Sequence, residues 1–124
     1  VPDRTAARLG AGLDPQPALL YTLHAPDAPG CGAVGVPCIT AHGWFEAMAA
    51  ATPLPILHIV DAAEAELRRL GVAPGRIGVM GTAGTLAMRL YQDRLEARGW
   101  TCLIPDEDAM RRLVSPAVAS VKAN

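Results

Sequence analysis

Aromatic residues are scarce in this 124-residue chain and make up 4% of it. Few rings are therefore available to stack on bases, which is how many proteins bind single-stranded nucleic acid. Lysine and arginine total 11 against 12 aspartate and glutamate residues, which gives a formal net charge of −1. This balance lacks the basic surface that nucleic-acid binding normally requires, so we expect no nucleic-acid partner.

Long apolar runs are missing as well, because no stretch of the sequence approaches the roughly eighteen apolar residues of a membrane span. No signal-peptide pattern opens the chain, and its three cysteines form no CxxC pair. The three histidines show no HExxH spacing, which argues against a metal site. We expect a cytoplasmic protein with reduced thiols, no membrane partner and no bound metal.

Apolar residues, at 51% of the sequence, are sufficient for one modest hydrophobic core. The chain opens with the dipeptide VP and ends in SVKAN directly after a helical pattern. Both ends suggest that it is a fragment of a larger protein.

Short apolar runs alternate with helical patterns, which is typical of an α/β fold with parallel sheets and flanking helices. The strands are predicted in GAVGVPC, PILHIV, RIGVMG and TCLIP. One long helix is predicted for GTAGTLAMRLYQDRLEARG, and Asp61 is predicted to cap the helix after PILHIV. Pro26 and Pro29 are expected to interrupt any helix in their segment. The linker VAPGR divides the chain into residues 1–73 and 74–124.

Two loops that follow predicted strands carry the candidate functional residues, because ligands of open α/β sheets bind at the carboxyl ends of strands. The first loop contains Cys38 and Thr40, and the second contains Thr82, Gly84 and Thr85. A thiol beside a helix start is favoured in its thiolate form, so Cys38 is a candidate base or nucleophile. Packing alone would also explain a free cysteine. GTAGT suits a carboxylate, or is simply a capped helix start.

Several blocks in this order resemble the aspartate/glutamate racemase family: PDRT, VPCITAH, PILHIVDA, IGVMGTAGTLAMRLYQDRLEARGW and the closing VKAN. The resemblance covers essentially the whole chain. It implies two similar α/β domains with the active site between them, so residues 1–73 belong to the first domain and 74–124 begin the second. It also implies a homodimer and catalysis without a cofactor.

The same resemblance assigns roles to individual residues. Cys38 matches one of two cysteines that remove and return the α-proton of an amino acid. Thr40, Thr82, Gly84 and Thr85 match positions that hold the α-carboxylate. Arg4 and Lys122 match charged residues that bind a second carboxylate, which implies aspartate or glutamate as substrate.

Two departures from the family pattern leave alternatives open. Ile39 stands where the family has an asparagine that contacts substrate, and no match to the second cysteine is found in this chain. We therefore expect the chain alone to be unable to racemise its substrate. A decarboxylase or cis–trans isomerase of small dicarboxylates, or a carboxylate-binding module without chemistry, would use the same scaffold.

Overall fold

The computed structural model describes residues 1–23 and 30–123, and it has the predicted α/β architecture. The strands are β1 (Val34–Gly35), β2 (Ile56–Leu57), β3 (Arg76–Gly78) and β4 (Thr101–Leu103). The helices of the first half are α1 (Arg4–Arg8), α2 (Gln16–Leu23), a 3₁₀ helix (Ile39–Trp44), α3 (Phe45–Ala50) and α4 (Ile59–Arg69). The second half has α5 (Ala83–Ala87), α6 (Leu90–Glu96), α7 (Glu107–Ala109), a π-helical segment (Met110–Val114) and α8 (Ser115–Ala123).

The strands pair in two separate sheets among the described residues. β1 and β2 are parallel, with Val34 opposite Ile56, and β3 and β4 are parallel, with Ile77 opposite Cys102. Each pair is joined through a helical connection, as parallel pairing requires. One core cluster lies around Met48 and the other around Val60. The linker at residues 72–76 lies between the two sheets in the chain, and a division into 1–73 and 74–124 stays a prediction.

Local capping explains where α1 and α2 begin. The Asp3 carboxylate accepts the Ala6 N–H at 2.7 Å, and the Asp14 carboxylate accepts the Gln16 N–H at 2.9 Å. Both aspartates satisfy N–H groups that have no partner within a helix. The predicted interruption at Pro26 and Pro29 lies outside the described residues.

The start of α4 differs from the prediction. The strand in PILHIV ends at Leu57, and His58 caps the helix with its Nδ1, which accepts the Val60 N–H at 3.2 Å. Asp61, predicted as the cap, lies inside the first turn and pairs with Arg94 and Arg98. The prediction was wrong because an imidazole nitrogen can take the role that an aspartate oxygen usually plays.

A buried acid ties α4 to Trp100, the residue just before β4. Glu64 is 6% exposed and accepts a hydrogen bond from the Trp100 indole N–H at 3.2 Å. Burial by itself raises the pKa of Glu64, but the hydrogen bonds from Trp100 and Arg68 lower it overall. The carboxylate therefore stays ionised and joins the two elements.

The single long helix predicted from GTAGT onward is in fact two helices. Arg89, between α5 and α6, has φ of 52°, which no residue of a right-handed helix adopts. The apolar stripe survives the break, because Leu86 and Leu95 are both buried. Periodicity missed the break because the sequence there contains neither glycine nor proline. Within the described residues, no helix combines the length and apolar composition that crossing a membrane requires.

Replacing Arg89 with glycine or with alanine measures the strain of this junction. Both variants lose the guanidinium, so their difference reports the backbone. A left-handed conformation costs a non-glycine residue about 1 kcal/mol, so we expect Arg89→Gly to melt about 4 °C above Arg89→Ala. Thermal unfolding followed by circular dichroism checks this.

The matched control lies within the helix α4 at Arg69, where the order should reverse. Glycine there weakens a regular helix, so Arg69→Gly should melt below Arg69→Ala. Equal melting temperatures for the two Arg89 variants would contradict a strained junction.

Candidate active site

Cys38 lies between the end of β1 and the 3₁₀ helix that starts at Ile39. Its backbone is extended, with φ of −145° and ψ of 105°, and its N–H donates to the Val36 carbonyl at 2.8 Å. The side chain is half-buried. The predicted strand reached Cys38, but β1 ends at Gly35, so the thiol lies in the loop three residues after the strand.

His42 fixes the turn that carries Cys38. Its Nε2 accepts the Ile59 N–H at 3.2 Å, and its Nδ1 lies 2.9 Å from the Cys38 carbonyl oxygen. A backbone N–H can only donate, so Nε2 is the unprotonated nitrogen and Nδ1 carries the hydrogen. The neutral imidazole, 2% exposed, thus joins the Cys38 turn to the first residue of α4.

His58 packs against the edge of the His42 ring, with ring centroids 4.6 Å apart. Burial, and then the nearby Arg94 guanidinium, lowers the pKa of His58 from 6.5 to about 4. The imidazole is therefore neutral at physiological pH, and its unprotonated Nδ1 can accept the Val60 N–H. Both buried histidines support the fold beneath the turn.

A cluster of four threonine hydroxyls joins three segments of the chain. Thr40 follows Cys38, Thr82 and Thr85 belong to the start of α5, and Thr5 comes from α1. Thr40 Oγ1 lies 2.9 Å from that of Thr85, Thr82 lies 3.1 Å from Thr85, and Thr5 donates to Thr82 at 3.2 Å. Thr82 also accepts the Thr85 N–H at 3.2 Å and caps α5. The three predicted threonines therefore meet, and Thr5 joins them unpredicted.

Gly84 has a different position from the predicted threonines. A Cβ at Gly84 would lie 3.2 Å from Thr5 Cα and 3.3 Å from Thr5 Cγ2. The glycine therefore permits α1 to approach α5 closely, which brings the Thr5 hydroxyl to Thr82. It does not line the cavity described below.

The two predicted cationic residues are both held by neighbours at the amino-terminal end of the chain. Arg4 donates to the Pro2 carbonyl at 3.0 Å, and Lys122 Nζ lies 3.2 Å from Asp3 Oδ2. The Ala6 N–H and then Lys122 lower the pKa of Asp3, which is therefore ionised at neutral pH. The contact of Asp3 with Lys122 spans 119 residues, so no local pattern could reveal it.

These groups line one cavity of about 320 Å³. Its walls include Asp3, Arg4, Thr5, Cys38, Ile39, Thr40, Gly81, Thr82, Thr85, Val118 and Lys122. The cavity is therefore lined by a thiol, four hydroxyls, two cationic side chains and the Asp3 carboxylate.

A larger cavity of about 460 Å³ shares no residue with this one. Its lining includes Arg8, Trp44, Phe45 and Arg94, with no cysteine, serine or threonine. The guanidiniums of Arg8 and Arg94 already cover the Trp44 and Phe45 rings, at 4.1 and 5.2 Å from their centroids. The smaller cavity has the chemistry that the sequence predicted, so we take it as the candidate site.

The other cysteines lie elsewhere. Cys31 is exposed, and Cys102 lies within β4, where burial raises the pKa of its thiol. Neither lines the cavity of Cys38. In residues 1–23 and 30–123, no group of three or more His, Cys, Asp or Glu side chains is arranged to hold a metal ion.

Comparison with known proteins relates the chain to amino-acid racemases. A family model described as Asp/Glu/Hydantoin racemase matches residues 1–124. The broad specificity amino-acid racemase RacX of Bacillus subtilis (strain 168) is 28% identical over 89 residues, which are 72% of this chain and 37% of that protein.

Solved structures show the same fold. The aspartate racemase of Picrophilus torridus matches with a TM-score of 0.77 and 24% identity, over 98% of this chain and 49% of that one. An aspartate racemase homologue from Pyrococcus horikoshii OT3 matches with a TM-score of 0.68 and 21% identity, over 81% and 43%. The chain thus spans about half the length of the solved relatives or less.

The neutral state of His58 predicts a pH dependence of stability. The unfolded chain binds a proton at His58 below pH 6.5, whereas the folded chain does so only near pH 4. Stability should therefore fall as the pH decreases from 6.5 to 4, with a slope of up to about 1.4 kcal/mol per pH unit. Urea unfolding at pH 7, 6 and 5 measures it, a range over which carboxylates of ordinary pKa stay mostly ionised.

The variant His58→Gln, which keeps an acceptor for the Val60 N–H, should flatten this slope. An unchanged slope between pH 7 and 5 in the variant would show that His58 is not the group responsible.

Proposed function

We propose, on the premise that this chain belongs to the Asp/Glu/Hydantoin racemase family, that it forms part of a cofactor-independent racemase of aspartate or glutamate. In this proposal Cys38 moves the α-proton. Thr40, Thr82 and Thr85 bind the α-carboxylate, and Arg4 and Lys122 bind the side-chain carboxylate. A cytoplasmic location and a homodimer belong to the proposal as well.

The observation that carries the proposal is the single cavity in which the thiol, the hydroxyls and the cations meet. The segments that contribute them are distant in sequence, since Thr5 and Thr82 are 77 residues apart and Thr40 and Thr85 are 45 apart. A chain that needed these residues only for local capping would not have to bring them together.

The reaction has a simple proton balance at Cys38. Its thiolate takes the α-proton and becomes a thiol, while the electron pair of the broken C–H bond moves toward the α-carboxylate. That carboxylate gains negative charge, so hydrogen-bond donors already aimed at it lower the barrier. The hydroxyl cluster supplies a donor of this kind. General-base catalysis by the Cys38 thiolate contributes about 10²–10⁴-fold.

A dicarboxylate substrate is supported by the cations. Arg4 and Lys122 both line the cavity, while Asp3 is the anion that lies beside Lys122. A substrate with one carboxylate would be held by the hydroxyls alone. A second carboxylate would reach the cationic end and orient the α-carbon toward the thiol.

Return of a proton to the opposite face needs a second acid. The family resemblance implies that this acid is a second cysteine, and neither Cys31 nor Cys102 lines the cavity. For the described residues alone we therefore propose exchange of the α-proton without inversion. In the complete reaction, a group beyond those described here supplies the second proton.

A second candidate function is supported by Ile39, which lines the cavity next to Cys38. An apolar side chain destabilises a carboxylate beside it, which favours loss of CO₂. The Cys38 thiol would then protonate the carbon that remains. Release of CO₂ from a malonate-type acid, without exchange into aspartate, would identify this reaction. If neither α-proton exchange nor CO₂ release occurs, the remaining candidate functions are cis–trans isomerisation of a small dicarboxylate and carboxylate binding without chemistry.

Deuterium incorporation tests the role of Cys38. In deuterated water the protein should place deuterium on the α-carbon of aspartate, and Cys38→Ser should slow this by about 10²-fold or more, because serine is a far weaker base. Proton NMR of L- and D-aspartate follows the exchange.

The matched control is Cys31→Ser, because Cys31 is exposed and outside the cavity. This variant should exchange at the rate of the unmodified protein. Exchange that persists in Cys38→Ser, or that is lost equally in both variants, would remove Cys38 from the mechanism.

A further inference from the structure

Thr5 has a position in the hydroxyl cluster that determines which way the other hydroxyls donate. A hydroxyl has one hydrogen to donate and two lone pairs to accept with. Thr82 Oγ1 accepts the Thr5 hydroxyl at 3.2 Å and the Thr85 N–H at 3.2 Å. Both lone pairs of Thr82 are therefore occupied, and Thr82 can act toward its other neighbours only as a donor.

At least one hydroxyl hydrogen must then point out of the cluster. Thr82 lies 3.1 Å from Thr85 and 3.4 Å from Thr40, and Thr85 lies 2.9 Å from Thr40. Suppose that Thr82 donates to Thr85 and that Thr85 donates to Thr40. Thr40 then cannot donate back to Thr82, because both lone pairs of Thr82 are occupied. The same holds for the last hydroxyl if Thr40 and Thr85 exchange places. Its hydrogen is left for an acceptor outside the cluster, and the cavity that Thr40, Thr82 and Thr85 line has room for one.

Without Thr5 the same three hydroxyls could close on themselves. Thr82 would donate to Thr85, Thr85 to Thr40, and Thr40 back to the lone pair of Thr82 that Thr5 had occupied. The three distances of 3.1, 2.9 and 3.4 Å permit this closed ring. A closed ring satisfies every hydroxyl internally and offers no hydrogen to a ligand.

We infer that Thr5 is a positioning residue that keeps the threonine cluster open as a donor for a carboxylate in the Cys38 cavity. The inference rests on the proposed function for the nature of the ligand. Gly84 belongs to the same arrangement, because its missing side chain lets Thr5 approach α5. A bound carboxylate accepts the outward hydrogen directly, and Thr5 acts on it through Thr82.

Binding of succinate, a dicarboxylate with no α-amino group, tests this inference by isothermal titration calorimetry. Thr5→Val keeps the shape of the side chain but removes its hydroxyl, and should weaken succinate binding by about tenfold or more, the loss expected for one hydrogen bond to a charged group. Thr5→Ser restores the hydroxyl and should bind within about twofold of the unmodified protein. The melting temperatures without succinate show whether both variants remain folded.

Several results would overturn the inference. They are equal affinity in Thr5→Val and the unmodified protein, a Thr5→Ser variant as weak as Thr5→Val, or no succinate binding by the unmodified protein. Because succinate undergoes no racemisation, this result is independent of the deuterium exchange. A protein that shows the expected binding pattern but no exchange would keep the role of Thr5 and lose the proposed reaction.

Discussion

The meeting of four threonine hydroxyls is the interaction on which the geometry of the candidate site depends. It joins α1, the turn after Cys38 and the start of α5. These three segments are distant in the sequence and none of them is a strand, so within the cluster the hydroxyl contacts hold them together. A buried hydroxyl without a partner costs about 1–3 kcal/mol. Displacing any one segment would leave partners of the others unsatisfied, so the cluster sets the positions of Arg4, Cys38 and Thr82 together.

A second hydrogen-bond network, made by two buried histidines, attaches the Cys38 turn to α4. His42 joins the Cys38 carbonyl to the Ile59 N–H, and His58 caps the same helix, α4. Both rings must be neutral to accept these N–H groups, and burial keeps His58 neutral. The turn is thereby anchored at its backbone, so the thiol can face the cavity without taking part in holding the loop.

The sequence predicted those parts of the fold that depend on local chemistry. The strands lie within the short apolar runs that predicted them, and aspartate side chains, a common kind of cap, hold the starts of α1 and α2. The break at Arg89 escaped prediction because its cause is a single left-handed residue in a regular pattern. Among the candidate site residues, Cys38, Thr40, Thr82 and Thr85 were predicted because they follow strands, and Arg4 and Lys122 were predicted only through the family resemblance. Thr5 has no such signal, since its partner lies 77 residues away.

The charge at the cationic end of the cavity has a consequence for selectivity. One oxygen of Asp3 caps α1 and the other pairs with Lys122. The positive charge of the lysine therefore already has a negative partner before any ligand binds. Both side chains are about half exposed, and an exposed ion pair of this kind contributes about 0–1 kcal/mol. In the proposed function, a side-chain carboxylate therefore exchanges one weak partner of Lys122 for another. Preference for a dicarboxylate then depends on whether the carboxylate of the ligand is more buried beside Lys122 than the carboxylate of Asp3 is. Until a ligand replaces it, Asp3 holds the lysine side chain at the cavity.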